Sequence, residues 1–167
     1  NKAKMRLALQ KENVPIPKFF KVSNVKEYQN AVKKFNMPFI VKPVDSSGSR
    51  GIFEVIDINN NQLIKQAYEY CRPFSRNGDV IVEEYMKGPE VSVETLSING
   101  ECHVIQITDK LTTGAPHFVE MAHSQPTRHS QKIIEQISKI AKAANKAIGI
   151  ENGPSHTEII VRSEERR

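Results

Sequence analysis

A strand that ends in a lysine and runs directly into a Ser/Gly loop occupies the segment FIVKPVDSSGSRGI, residues 39–52. Five of the six residues 46–51 are serine or glycine, which is more than an ordinary hairpin turn needs. Residues 52–58, IFEVIDI, are rich in β-branched side chains and predict a second strand. Because the backbone N–H groups of such a loop can turn inward around a phosphate, the segment predicts a strand–loop–strand unit that binds an anion.

The position of Lys42 before the loop separates this segment from two better known phosphate-binding arrangements. In the Walker loop the lysine follows the glycines, at the start of a helix. In protein kinases a Gly loop precedes the strand lysine, and a catalytic Asp loop and an Asp-Phe-Gly motif follow. Here the lysine comes first and the sequence contains no Asp-Phe-Gly. We therefore set both classes aside.

Length and composition limit the remaining classes. The 167 residues suffice for one domain, or two small lobes, with a real core. No apolar run approaches the ~20 residues of a membrane helix. The two cysteines form neither a disulfide framework nor a metal pattern, so we expect a cytoplasmic protein with no membrane partner. The net charge of +5 comes from scattered lysines, which favours an anionic small ligand over nucleic acid.

Helical and strand patterns alternate along the chain and predict an α+β fold. The pair Gly88-Pro89 separates residues 1–88, with an N-terminal helix and the Ser/Gly loop, from residues 89–167, an antiparallel sheet with a helix. Asn99-Gly100 predicts a β-hairpin in the second part. A ligand between two such lobes is a common arrangement. The predicted helices cover residues 1–12, 25–35, 61–72 and about 128–148.

Four motifs, in this order, resemble the ATP-grasp superfamily over nearly all of the chain: KPVDSSGSRGI, VIVEEYMKGPEVSVE, FVEMAHSQP and GPSHTEIIV. Each motif alone is weak, whereas the four together in a strand–loop–strand context are specific. DKLTTGAPHFVEMAHSQP and GPSHTEI look like the carboxylate–amine ligase branch, which includes amino-acid ligases and carbamoyl-phosphate-synthase-like and biotin-carboxylase-like proteins. The resemblance implies an ATP-grasp fold in which two α+β subdomains clamp ATP.

The resemblance assigns the loop segment to the phosphates of ATP. Lys42 would contact the α- and β-phosphates as a point charge, and a solvated strand-end lysine is the alternative. Arg50 is either a phosphate contact or a solvated residue at the tip of the loop. Lys2 is either a nucleotide contact or a solvated helix lysine. The flap over the phosphates would consist of Ser46, Ser47, Gly48, Ser49 and Gly51.

The segment EEYMKGPE would bind the nucleoside. Adenine is read by an extended linker, mainly through the backbone atoms of Glu84 and Met86. Glu90, after the Gly-Pro turn, would accept hydrogen bonds from the ribose hydroxyls. An acidic edge strand is the alternative for the two glutamates before the turn. By the resemblance, the linker residues are Glu83, Glu84, Tyr85 and Met86.

The last motifs would supply the catalytic centre. Glu158 would bind Mg²⁺, or Mn²⁺, because such an ion takes carboxylate oxygens together with phosphate oxygens and water. A solvent-facing glutamate on a half-exposed strand is the alternative. Lys110 is a candidate for the γ-phosphate and His123 for the substrate pocket, although a lone strand histidine is more often structural. Strand alternation puts Glu120 and His123 on opposite faces unless a bulge intervenes.

The implied function is ATP-dependent C–N bond formation from a small-molecule carboxylate and an amine through an acyl phosphate. A nucleotide-binding module without catalysis and a carbamoyl-phosphate-synthase-type domain remain alternatives. The family supplies a second acidic metal ligand and an arginine after Val161, whereas this sequence ends in RSEERR, where Glu164 and Glu165 are poor substitutes. We therefore expect an ATP-grasp fragment that is truncated at its C terminus, inactive alone, and open to homodimerisation through an unpaired sheet edge.

Overall fold

The chain has the predicted α+β fold, and the computed structural model describes residues 1–113 and 119–162. Internal contacts divide the chain into two compact units, each of which is described by itself. The domain boundary at Gly88-Pro89 stays a prediction. The first unit comprises Asn1–Arg6 and Pro17–Tyr85, and the second comprises Leu7–Ile16, Met86–Thr113 and the described residues from Glu120 onward.

The first unit contains a four-stranded antiparallel sheet. Its elements are the start of α1 (Lys2–Lys11), β1 (Phe19–Val22), α2 (Val25–Val32), β2 (Phe39–Pro43), β3 (Phe53–Val55), α3 (Asn61–Cys71), a 3-10 turn (Arg72–Phe74) and β4 (Val80–Glu84). The strand order is β1-β4-β2-β3. Because β4 lies between β1 and β2, the alternative of an acidic edge strand for Glu83 and Glu84 is wrong.

The two faces of this sheet differ in role. Phe39 and Val41 of β2 join the apolar core that α2 and α3 cover. Since strand side chains alternate, Lys42 and Glu83 point to the opposite face. On that face Ile81 packs against Ala3 in the first turn of α1. The first helix therefore covers the face that carries the two charged side chains.

The second unit contains another four-stranded antiparallel sheet, with strand order β7-β6-β5-β8. Its elements are β5 (Glu90–Ile98), β6 (Glu101–Thr112), β7 (Glu120–Ser124), α4 (Gln131–Ile148) and β8 (Gly153–Ile160). The predicted hairpin is confirmed: Asn99 and Gly100 have φ values of 51° and 82°, and β5 pairs with β6 on either side of them.

Helix α4 covers one face of the second sheet. Val91 and Val93 of β5 and Ile107 of β6 pack against Ile137 and Ala141 of α4. Because side chains alternate along a strand, Glu90 and Ser92 of β5 point to the opposite face of the sheet, away from α4. None of the described helices is long and apolar enough to cross a membrane.

Candidate functional site

A buried carboxylate joins two cations in the first unit. Glu83 Oε1 lies 2.6 Å from Nε of Arg6, and Glu83 Oε2 lies 2.5 Å from the ammonium of Lys42. Only 2% of the Glu83 side chain is exposed, against 18% for Arg6 and 19% for Lys42. Burial alone would raise the pKa of Glu83, but the charges of Lys42 and Arg6 outweigh it and hold that pKa below its ordinary value. Lys42 is therefore fixed beside an ionised acid and is not a solvated strand-end lysine.

Lys2 adds a further cation beside this pair. Its ammonium donates a hydrogen bond to the Ser46 carbonyl, and its backbone N–H donates to the Val44 carbonyl at 2.7 Å. Burial, and then the charge of Lys42, lower the pKa of Lys2. Repulsion between neighbouring ammonium groups lowers a lysine pKa in this way. An added anion would relieve the repulsion, so this part of the first unit favours an anionic ligand.

The Ser/Gly loop, residues 46–51, contains three left-handed backbone positions. The φ values are 62° at Gly48, 54° at Ser49 and 74° at Gly51. A Cβ at Gly51 would lie 2.7 Å from Phe74, whereas a Cβ at Gly48 would meet nothing within 4 Å. A side chain at position 51 would therefore overlap Phe74. The described residues leave open space next to Gly48, which a ligand can occupy.

We expect Mg-ATP to slow amide hydrogen exchange in residues 47–50. These residues are exposed, and their contacts include a local hydrogen bond from Arg50 Nε to the Ser47 carbonyl at 3.2 Å. Loops with few buried contacts open locally, and a bound phosphate would engage their N–H groups. Hydrogen–deuterium exchange mass spectrometry measures the effect, with the Asn99-Gly100 turn as the control that should not respond. Unchanged exchange in nucleotide-saturated protein would remove the loop from the site.

The predicted adenine linker continues from the end of β4. The amide of Glu84 donates to the Lys18 carbonyl at 2.9 Å, and the amide of Tyr85 donates to the Pro38 carbonyl at 3.1 Å. These two N–H groups are already used inside the first unit. Adenine contacts by Glu84 and Tyr85 would therefore have to use carbonyl groups or side chains, and their role, like that of Met86, stays a prediction.

Three carboxylates surround one buried lysine in the second unit. Lys110 Nζ lies 2.5 Å from Glu158, 2.7 Å from Glu120 and 3.0 Å from Glu90. The Lys110 side chain is 2% exposed, whereas those of Glu120 and Glu158 are 49% and 55% exposed. We call these four residues the Lys110 cluster. Its ammonium is enclosed, while at least two of its carboxylates reach solvent.

Electrostatics favour the charged forms of Lys110 and Glu120 in this cluster. Burial alone would lower the pKa of Lys110, but its hydrogen bonds to Glu120, Glu158 and Glu90 outweigh burial and raise it. The hydrogen bond from Lys110 in turn lowers the pKa of Glu120. One positive charge thus faces three negative ones, so the cluster can accept further positive charge.

Strand pairing explains how these residues meet. Lys110 on β6 lies opposite Glu90 on β5 and opposite His123 on β7, and directly opposed residues share a face. Glu158 on β8 lies opposite Ser92, which is two residues from Glu90 and therefore on the same face. The cluster and His123 thus lie together on the face opposite α4.

A β-bulge brings Glu120 and His123 to the same side. The β6–β7 register shifts between Leu111 and Thr112, so that Ala122 and Glu120 take consecutive partners and Met121 is skipped. His123 Nε2 lies 3.4 Å from Glu120 Oε2. Strict alternation would put the two side chains on opposite faces. The bulge adds one residue between them, so both side chains lie on the same face.

Glu158 is the predicted metal ligand. Its Oε1 also lies 3.8 Å from His156 Nε2. Within residues 1–113 and 119–162, no three His, Cys, Asp or Glu side chains are arranged to hold a metal ion. Magnesium that is bound mainly by substrate phosphates needs only one or two carboxylates, and the Glu158 side chain, which is 55% exposed, fits that requirement. Phe118 of the FVEMAHSQP motif, Glu164 and Glu165 lie outside the described residues.

Arg6 pairs with Glu83 in the buried charge group of the first unit, and the sequence analysis did not single it out. Lys2 and Arg6 are four residues apart and so share a face of α1, which was visible in the sequence. The partner of Arg6 lies 77 residues away, and only the sheet identifies it: Glu83 pairs in register with Ile40, two residues before Lys42.

Comparison with known proteins shows the family of the chain. The family model for the ATP-grasp domain matches residues 35–166. The alanine–anticapsin ligase of Bacillus subtilis (strain 168) is 27% identical, over 95% of this chain and 37% of that protein. The D-alanine–D-alanine ligase of Flavobacterium psychrophilum is 27% identical, over 96% of this chain and 50% of that protein.

A solved structure shares both fold and sequence. The L-amino acid ligase from Bacillus licheniformis has a TM-score of 0.79 and 28% identity, over 96% of this chain and 36% of that one. The chain thus spans half or less of the length of these three relatives.

Proposed function

The chain belongs to the ATP-grasp family, and from that premise we propose that it is the ATP-binding part of a ligase that joins a carboxylate to an amine. The observation that carries the proposal is the Lys110 cluster with His123 on one sheet face. Such a set offers several carboxylate oxygens for hydroxyl groups or a metal ion, around one ammonium. The amino-acid ligases among the relatives support the choice of reaction.

In the first unit, cations and the Ser/Gly loop bind the phosphates of ATP. A triphosphate needs charge-assisted hydrogen bonds, and Lys42 and Lys2 supply the charges. The carboxylate of Glu83 pairs with Lys42 and positions it, while a contact of Glu83 with adenine stays a prediction. The loop residues that would cover the phosphates through their N–H groups are Ser46, Ser47, Gly48, Ser49 and Gly51.

In the second unit, the Lys110 cluster and His123 have separate roles on one face of the sheet. Glu90 accepts hydrogen bonds from the ribose hydroxyls, and Lys110 neutralises charge on the γ-phosphate. Glu158 holds Mg²⁺, or Mn²⁺, which when bound offsets the negative charge of the phosphate oxygens. His123, with Glu120 beside it, orients the substrate that receives the phosphoryl group.

The proposed reaction has two steps. A carboxylate oxygen attacks the γ-phosphorus of ATP, the bond to the β-phosphate oxygen breaks, and ADP and an acyl phosphate form. The amine nitrogen then attacks the acyl carbon, phosphate leaves with the electron pair of the C–O bond, and the nitrogen loses a proton to give the amide. Protein groups position the reactants and neutralise charge, as in other phosphoryl transfers.

The substrates in this proposal are small: an amino acid supplies the carboxylate and a second amino acid the amine. The cytoplasm is the proposed location, because ATP is available there and the free thiols of Cys71 and Cys102 suit a reducing compartment. A homodimer through β8, an edge strand of the described sheet, belongs to the proposal, and sedimentation equilibrium checks it.

We expect Lys42→Gln to weaken ATP binding by about 10- to 100-fold, because a hydrogen bond to a charged group contributes roughly 1.5–3 kcal/mol. Isothermal titration calorimetry with Mg-ATP measures the change. Lys26→Gln is the matched control, since Lys26 is an exposed lysine of the same unit, and it should leave the affinity within about twofold. Equal affinity in wild type and Lys42→Gln would exclude Lys42 from the site.

Ligase activity is tested by product formation. Protein spanning the length of its relatives is incubated with Mg-ATP and a panel of amino acids in pairs, and ADP, phosphate and dipeptide are measured together. Dipeptide formed in equal amount to ADP supports the proposal. ATP binding without any product across the panel would favour a nucleotide-binding module, and bicarbonate-dependent ADP formation would favour a carbamoyl-phosphate-synthase-type activity.

A further inference from the structure

Two cations hold Glu83, one on each carboxylate oxygen. Nε of Arg6 lies 2.6 Å from Oε1, and the ammonium of Lys42 lies 2.5 Å from Oε2. A single cation is enough to neutralise a single buried carboxylate. A Glu83–Lys42 pair would carry no net charge, whereas the trio with Arg6 carries one positive charge. Arg6 thus adds one unit of positive charge to this part of the first unit, beside the charge of Lys2.

We propose that Arg6 is a positioning residue of the nucleotide site: it neutralises Glu83, so that Lys42 remains available to a phosphate. The inference rests on the proposed function, because it assumes that Lys42 serves the phosphates of ATP. Arg6 itself acts through Glu83 and Lys42 and does not contact the nucleotide.

The need for a second cation follows from the burial of Glu83. With Lys42 as its sole partner, turning the ammonium toward a phosphate would leave a carboxylate that is 2% exposed without a charge partner, which is strongly unfavourable. With Arg6 on Oε1, Lys42 can turn to the phosphate while Glu83 keeps a partner. Arginine suits this role, because its guanidinium is always charged and more weakly hydrated than an ammonium.

The position of Arg6 supports a role inside the site. Arg6 lies one helical turn after Lys2 on α1, and Lys2 donates to the carbonyl of Ser46 in the Ser/Gly loop. The same turn contributes Ala3 to the apolar contact with Ile81, which fixes the helix over the sheet face of Lys42. A single turn of helix therefore orients both a lysine at the loop and the arginine at Glu83.

Mg-ATP titrations of four variants test the inference, under conditions in which circular dichroism shows each variant folded. We expect Arg6→Gln to bind ATP about tenfold more weakly than wild type, and Arg6→Lys, which keeps the charge, to stay within about threefold. We expect the double variant Arg6→Gln/Glu83→Gln to recover most of the loss, because the carboxylate that ties up Lys42 is gone. Lys4→Gln, an exposed lysine on the same helix, is the control and should match wild type.

Each outcome separates this inference from the proposed function. If wild type binds no Mg-ATP, the proposed function fails. If wild type binds but Arg6→Gln binds equally well, the positioning role is wrong. If Arg6→Gln binds weakly and neither Arg6→Lys nor the double variant recovers the affinity, Arg6 acts through packing and not through the charge of Glu83, which also overturns the inference.

Discussion

Replacing Lys110 with methionine is expected to lower ATP-dependent turnover by roughly two to three orders of magnitude, and also to destabilise the second unit. Methionine fills a similar space but leaves the carboxylates of Glu90, Glu120 and Glu158 facing one another without the ammonium that now lies 2.5–3.0 Å from each. Breaking a fully buried ion pair costs about 3–5 kcal/mol. Since Glu120 and Glu158 are about half exposed, solvent screening reduces the expected loss to about 1–3 kcal/mol.

The stability deficit of Lys110→Met should depend on pH in a defined direction. The pKa of Lys110 is raised above its ordinary value of 10.5, so its stabilisation is present below that pH and is lost as pH rises through the folded value. The pKa of Glu120 is lowered from its ordinary value of 4.5, so that contribution is present above pH 4.5 and is lost as pH falls through the folded value. We therefore expect the largest difference between wild type and variant from about pH 5 to pH 10.

Urea denaturation at pH 7 and at pH 4 measures this difference, with ADP release as the second assay. Lys139→Met is the control, because Lys139 is exposed in the middle of α4 and its loss should change neither quantity appreciably. A Lys110→Met protein whose deficit is the same at both pH values would contradict the ionised cluster. Full turnover in a folded variant would remove Lys110 from the catalytic centre.

Gly88→Ala is expected to destabilise the second unit by about 3 kcal/mol. Gly88 has φ +154°, and an added Cβ would lie 2.2 Å from the carbonyl oxygen of Val161 and 3.1 Å from its carbonyl carbon. Those atoms are backbone, so no side-chain rotation can relieve the overlap. The neighbouring bond from the Val161 N–H to the Pro89 carbonyl, 2.8 Å long, should be distorted as well, which would disturb the end of β8.

Gly100→Ala is the comparison for this effect. Gly100 also has a left-handed φ, 82°, but a Cβ there would meet nothing within 4 Å, so its replacement carries only the conformational cost of about 1–2 kcal/mol. Thermal and urea denaturation of both variants give the comparison. Equal destabilisation by the two substitutions would show that the close approach of Gly88 to Val161 does not matter.

Local patterns were enough to place much of the first unit. The apolar run before Lys42 predicted β2, and the excess of serine and glycine predicted a loop that is more than an ordinary hairpin turn. The left-handed positions within that loop came from the structure. The sequence could not assign a partner to Lys42. That partner, Glu83, is fixed by the pairing of β2 with β4. Pairing between strands that are distant in sequence cannot be recognised from a local pattern.

The second unit divides in the same way. Asn99-Gly100 determined its hairpin, and the alternation around Val91 and Val93 determined which residues of the first half of β5 face α4, because turn chemistry and strand period are local properties. Only the tertiary structure decided that Glu90, Lys110 and Glu158 from three strands meet at one ammonium. It also decided that a bulge between Glu120 and His123 puts both on that face. Residue types and spacing were enough to identify the charged groups. Their partners depend on sheet order and register, which are set by the packing of the whole unit.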